Sequence, residues 1–143
     1  MSASQATVDL LTEYYAAMET SDPLRYGGYY AEDMTLTFGN SPTITGRENV
    51  IAAFAEVLGK VRSLHHDLVN VWEQDDGVIL YESVGVWNLF DGTRISINAC
   101  TVLTVSNGMF NDQRIYVDNA PVDAALAREA VAAPPEGLRP SGS

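Results

Sequence analysis

The sequence predicts a single-domain α+β fold in which helices come first and a curled antiparallel sheet follows. Three observations carry that expectation. Apolar spacing is mostly helical up to about Gly59, it turns to strict alternation from Leu64 onward, and three glycine-bearing turns cut the alternating part into strands.

In the first segment Val8, Leu11, Tyr15 and Met18 recur at intervals of three, four and three, which places them on one face of a helix. Ser21-Asp22-Pro23 offers a cap followed by proline at the first helical position, so a short second helix runs through Leu24 and Tyr26 until Gly27-Gly28 ends it. The tyrosines around that glycine pair, Tyr26, Tyr29 and Tyr30, read as a plug for the narrow end of the fold. Met34 to Phe38 alternates as a strand and Gly39-Asn40-Ser41-Pro42 reads as a turn. Thr45 with Glu48 makes a capping box for a third helix, with Val50, Phe54 and Val57 as its inner stripe.

Four long strands follow: Leu64 to Glu73, Val78 to Phe90, Arg94 to Ser106 and Phe110 to Val117. Asp75-Asp76-Gly77, Asp91-Gly92 and Asn107-Gly108 mark the hairpins between them, because glycine supplies the positive φ of a tight reversal. One face of such a sheet needs a cover, and the three N-terminal helices are the expected one, closing a cone. The second and third of these strands are apolar on both sides, which predicts that the outer face is buried against a second copy in a homodimer. The cone is expected to end near residue 120, with VDAALAREAVAA forming one more helix and PPEGLRPSGS disordered.

A chain of 143 residues, 46% of them hydrophobic, can bury one sizeable core. A net charge of −11 with only eight Lys and Arg argues against a nucleic-acid partner, since phosphates are neutralised by clustered cations. No apolar run reaches the roughly 18 residues of a membrane span, and MSASQATVD lacks the basic and apolar regions of a signal peptide, so a soluble cytoplasmic protein is expected. The single Cys100 excludes an internal disulfide and a multi-cysteine zinc site. Adjacent strand residues His65 and His66 point to opposite faces, which defeats a two-histidine metal site, and no phosphate-cradling loop, dinucleotide fingerprint, nucleophile elbow or CxxC is present. Neither metal nor cofactor is expected.

The run EYYAAMETSDPLRYGGYYAEDMTLTFGN followed by ITGRENVIAAF gives the order helix, short helix, strand, helix. That order resembles the nuclear transport factor 2-like superfamily, which includes ketosteroid isomerases, scytalone dehydratases, limonene epoxide hydrolases and SnoaL-like polyketide cyclases. The resemblance, over about Leu10 to Asp118, implies a cone around an apolar pocket and a small apolar ligand. EYYAAMETSD looks like the first helix of the isomerases, and puts Tyr14 at their oxyanion-binding tyrosine. Their general base falls on Phe38, and their second oxyanion donor, counted back from Gly108, on Cys100. With two of three groups replaced, that isomerase activity is not expected. LHHDLVNVWE is similar to the strand that carries the histidine of the dehydratase branch, implying that His66 faces the pocket; that branch's first-helix tyrosine and aspartate fall on Met18 and Glu19. An epoxide hydrolase would need an aspartate where Ile115 stands. Asp118 in RIYVD is like the last-strand ending of many SnoaL-like proteins.

With His66 facing inward, strand alternation places Leu68, Asn70 and Trp72 beside it. An imidazole can both take and give a proton near neutral pH, which makes His66 the candidate general acid or base. Tyr14 and Asn70 are the candidates to hold a substrate oxygen. Phe38, Phe54, Trp72 and Trp87 are the expected apolar walls, and Asn98, Cys100, Gln113 and Ile115 the expected lining from the last two strands. The function that follows is cofactor-independent isomerisation, cyclisation or dehydration of a small apolar polyketide- or steroid-like molecule. A non-catalytic ligand-binding or dimerisation module, and a limonene-type epoxide hydrolase, are the alternatives.

Overall fold

The computed structural model describes residues 2–132. Helix α1 (Gln5–Glu19) leads through α2 (Pro23–Tyr26) and a 3₁₀ turn (Gly27–Tyr29) into β1 (Tyr30–Phe38), β2 (Ile44–Thr45) and α3 (Arg47–Gly59). The long strands β3 (Ser63–Glu73), β4 (Val78–Asn88), β5 (Arg94–Ser106) and β6 (Met109–Val117) follow, and α4 (Ala120–Ala132) closes the described chain. The expected disordered end PPEGLRPSGS lies outside the described residues.

The strands form one curved, unclosed sheet in the order β2-β1-β6-β5-β4-β3. The expected antiparallel meander is β3 to β6; β1 adds to it in parallel along β6, and β2 pairs back on β1. The hairpins sit where the glycines put them, with φ of +83° at Gly77, +90° at Gly92 and +75° at Gly108, the last preceded by Asn107 at +52°.

Helix α1 is laid antiparallel along β3 by a tie at each end. Ser4 caps it by accepting the Thr7 N–H, while Glu73 at the far end of β3 accepts the Ser4 N–H and the Thr7 hydroxyl at 2.5 and 2.7 Å. At the other end Glu19 meets His65. Leu11, Tyr14, Tyr15 and Met18 are thereby pressed onto the sheet. Asp22 caps α2 through the Leu24 N–H, with Pro23 at its first position as expected. The Thr45–Glu48 capping box does not form, because Thr45 is drawn into β2 opposite Thr35 and Gly46, at φ +96°, stands at the helix start. The inner stripe of α3 also shifts: Val50 and Leu58 are buried, whereas Val57 is 36% exposed.

Tyr26 and Tyr30 are completely buried at the narrow end, packed on Phe54 with ring centroids 6.2 and 6.1 Å away. Each such side chain contributes roughly 1.5–3 kcal/mol by leaving water. Helix α4 extends the expected cover of three helices, burying Val122 and Ala125 in the same core.

An irregularity in β3 decides which residues face inward. Leu68 pairs with Ser83 and Asn70 with Glu82, so Val69 is an extra residue and the alternation flips past it. Val71 consequently packs on the core while Trp72 turns out. No helix among the described residues is long and apolar enough to cross a membrane.

Candidate functional site

Between the sheet and helices α1, α3 and α4 lies a cavity of about 630 Å³, within the roughly 300–1,000 Å³ of small-molecule sites. Leu36, Phe38, Phe54, Trp87, Ile97 and Ile115 supply much of its wall. Exposed lining residues Asn40, Ser41, Lys60 and Asp123 place its mouth between the β1–β2 turn, the end of α3 and the start of α4. Besides His66, the Lys, Arg, Asp and Glu residues of the lining among the described residues are Lys60, Asp118 and Asp123, all exposed.

His66 lines this cavity. Its ring lies against Tyr15, centroids 4.4 Å apart and planes inclined at 32°. Gly85 is its cross-strand partner, and a Cβ there would come 3.8 Å from the imidazole and 3.3 Å from Trp87 Nε1, so the missing side chain leaves room for both rings. His66 Nδ1 is buried and has no hydrogen-bond partner among the described residues. Burial, and then the neighbouring charge of His65, lower its pKa to about 4, so the ring is neutral at physiological pH.

Tyr14 sits at the closed end, fully covered, its hydroxyl 2.5 Å from that of Tyr30. A second hydroxyl pair, Tyr15 with Tyr81 at 2.7 Å, is joined by Gln113, whose Nε2 lies 3.4 Å from the Tyr81 oxygen. Burial is the main cause that raises the pKa of all four phenols, so they remain protonated donors. Gln113 Oε1 and Asn119 Oδ1, like His66 Nδ1, are buried without partners among the described residues. All three atoms belong to lining residues.

The structure brings His66, Tyr14, Phe38, Phe54, Trp87, Gln113 and Ile115 together around one cavity. Four expected lining residues lie elsewhere. The irregularity at Val69 turns Asn70 outward, where its Nδ2 donates to Glu82 at 2.8 Å, and leaves Trp72 38% exposed on the same outer face. Asn98 and Cys100 also face out: their partners on β4 are Val84 and Glu82, whereas the inward Ser83 and Gly85 pair with Ala99 and Ile97. Gln113 and Ile115 pair with Leu103 and Thr101, and Cys100 with Tyr116, so Cys100 cannot share their face. Of the two first-helix positions matched to the dehydratase branch, Glu19 meets His65 outside the cavity, whereas Met18 lines it. Sequence reasoning passed over Ser83 and Thr101 as lining; the alternation that carries Trp87 already placed Ser83 on the same side, and Thr101 follows from its pairing with Tyr81.

The fold and site define a small α+β pocket protein of the nuclear transport factor 2-like kind. The SnoaL-like domain matches residues 11–113, and the chain belongs to that family. An NTF2-like protein of unknown function from Burkholderia pseudomallei is similar in structure, with a TM-score of 0.74 and 16% identity over 86% of this chain and 98% of that one. A protein with a ketosteroid isomerase-like fold from Catenulispora acidiphila, in complex with trimethylamine, has a TM-score of 0.68 and 20% identity, covering 75% and 83% of the two chains. TerC, co-crystallised with polyporic acid, has a TM-score of 0.71 and 13% identity over 84% and 97%. No curated protein matches the chain.

Proposed function

We propose that this chain is a cofactor-independent acid–base enzyme of the isomerase, cyclase or dehydratase type, acting on a small, apolar, oxygenated molecule held in the cone. The carrying observation is His66, a neutral imidazole on the wall of an apolar cavity with a buried, unpartnered Nδ1. A neutral imidazole nitrogen can accept a proton from a carbon beside a carbonyl, the electron pair passing onto the carbonyl oxygen. The Tyr14–Tyr30 pair makes one mutual bond from two hydroxyl hydrogens, so one hydrogen is left to donate toward that oxygen. Protonated His66 then returns the proton at another carbon or to a leaving hydroxyl. Asn70, turned outward, has no part in this. The small ligands trimethylamine and polyporic acid in structurally similar proteins support a small molecule as the occupant here.

One observation favours a non-catalytic binding module as the second reading. The resemblance puts Phe38 at the position of the isomerase base, and among the described residues the cavity's carboxylates are confined to the exposed Asp118 and Asp123. Ile115 likewise offers no carboxylate to hold the water of an epoxide hydrolase. A homodimer through the outer sheet face belongs to the proposal, because Val69, Trp72 and Tyr116 are 57%, 38% and 56% exposed there.

The test is deuterium exchange at carbons beside the carbonyl of polycyclic ketones, followed by NMR in heavy water. The enzyme reading expects exchange above the buffer rate and its loss by about 10²–10⁴-fold in His66→Ala. Ketones that bind without accelerated exchange would establish the binding module instead.

A further inference from the structure

Four polar side chains among the described residues are buried: Thr7, Ser83, Thr101 and Gln113. Thr7 is accounted for by its bond to Glu73 at the start of α1. The other three stand on adjacent strands β4, β5 and β6, and all three line the cavity. Tyr81 is the cross-strand partner of Thr101, and its hydroxyl takes the Nε2 hydrogen bond of Gln113, so the tyrosine sits at the centre of this stripe. The stripe carries no formal charge and crosses a floor otherwise made of Ile97, Ala99, Ile115 and Val117.

Burying a polar group is costly unless a partner answers it. Gln113, 1% exposed, has its amide nitrogen answered by Tyr81 and its oxygen by nothing among the described residues. A carboxamide oxygen only accepts, so whatever completes it brings a hydrogen. A ligand carbonyl cannot do that. A ligand hydroxyl or enol can, and it can at the same time accept from a phenol or alcohol hydroxyl of the stripe. An ammonium group would also donate, but no carboxylate of the described residues stands on this floor to balance it.

We infer that Gln113, on the Ser83–Thr101–Gln113 stripe, is the specificity-determining residue of the cavity and selects a neutral apolar ligand by a hydroxyl-bearing edge. The inference rests on the reading of the cavity as a small-molecule site and deepens it: the stripe distinguishes the hydroxyl or enol form of a ligand from its ketone.

The experiment is calorimetric titration of the whole chain with 9-fluorenol, 9-fluorenone and fluorene, one skeleton with a hydroxyl, a carbonyl or neither. Fluorenol is expected to bind at least about tenfold more tightly than fluorenone, because the ketone leaves the amide oxygen unanswered. In Gln113→Met, close in volume and without an acceptor amide, that preference is expected to fall below about twofold while fluorene affinity is kept. Equal or tighter binding of fluorenone to the unmodified chain overturns the inference and leaves the pocket reading intact, whatever the folding of the variant. If none of the three binds, both fall together.

Discussion

His65 and His66 are adjacent on β3, yet their rings leave the strand on opposite faces and are driven to opposite charge states. His65 lies outside, half-exposed, with Nδ1 2.5 Å from Glu19 and Nε2 2.7 Å from Asp67. A neutral imidazole has one N–H, so two carboxylates are both answered only by the charged ring. The hydrogen bond to Asp67, helped by Glu19, raises the His65 pKa, while burial lowers that of His66 to about 4.

The two rings therefore link stability to pH with opposite signs. For His66 the unfolded chain binds the proton more tightly, so the stabilisation is fully present above the ordinary histidine value of 6.5 and is lost as pH falls through about 4. A shift of that size corresponds to about 3 kcal/mol. For His65 the sign reverses: its contribution is present below 6.5 and lost as pH rises through its raised folded value. Urea unfolding from pH 4 to pH 8 is expected to show an acid-side loss that is absent in His66→Leu and an alkaline-side loss that is absent in His65→Gln. A common pH dependence in all three proteins would sink this assignment.

The element order was legible because each boundary has a local cause: Pro23 at a helix start, the hairpin glycines, and the change of period after Gly59. The residues that stayed hidden depend on pairing. The extra residue at Val69 leaves no mark in composition, yet it reverses every side chain beyond it and takes Asn70 and Trp72 out of the cavity. The inward face of β5 is likewise set by its register against Ser83 and Gly85, so Asn98 and Cys100 could not be placed from their own strand alone. β2 is two residues held by Thr35 and Leu36, a tertiary contact that overrode the cap written at Thr45.

Gly77 is the turn glycine with the least tolerance. Its φ is +83°, and a Cβ would lie 2.3 Å from the carbonyl oxygen of Val105, whose own N–H donates to the Gly77 carbonyl at 2.9 Å. Backbone cannot swing aside as a side chain can. Gly77→Ala is expected to cost about 1–3 kcal/mol or more, whereas Gly28→Ala, with nothing within 4 Å of the added carbon, should change the urea midpoint little. Equal midpoints for the two variants would contradict the contact.

The outer sheet face presents rows that run from Trp72 through Leu80 to Val102 and from Glu82 through Cys100 to Tyr116. If two copies bury these rows, sedimentation should give twice the 15.5 kDa chain mass, and Val102→Asp should return it to one. Each copy carries a net charge of −11, so their repulsion should be screened by salt and the dimer should tighten between about 0.02 and 0.5 M NaCl. A wild-type chain that sediments as a monomer at every salt concentration removes the dimer.

The Tyr14–Tyr30 bond separates a structural from a catalytic role at the closed end of the cone. Both hydroxyls are buried and 2.5 Å apart. Tyr14→Phe leaves the Tyr30 hydroxyl unanswered and should cost about 1–3 kcal/mol. The double change to phenylalanine should cost less than the sum of the single ones, since it removes both ends of the bond. If the pair also donates to the developing oxygen of a substrate, exchange beside the carbonyl should fall by about 10²-fold in Tyr14→Phe with ligand affinity nearly kept. Unchanged exchange with the same loss of stability would confine the pair to holding α1 against the 3₁₀ turn and β1, and would leave His66 to act without a donor from that end.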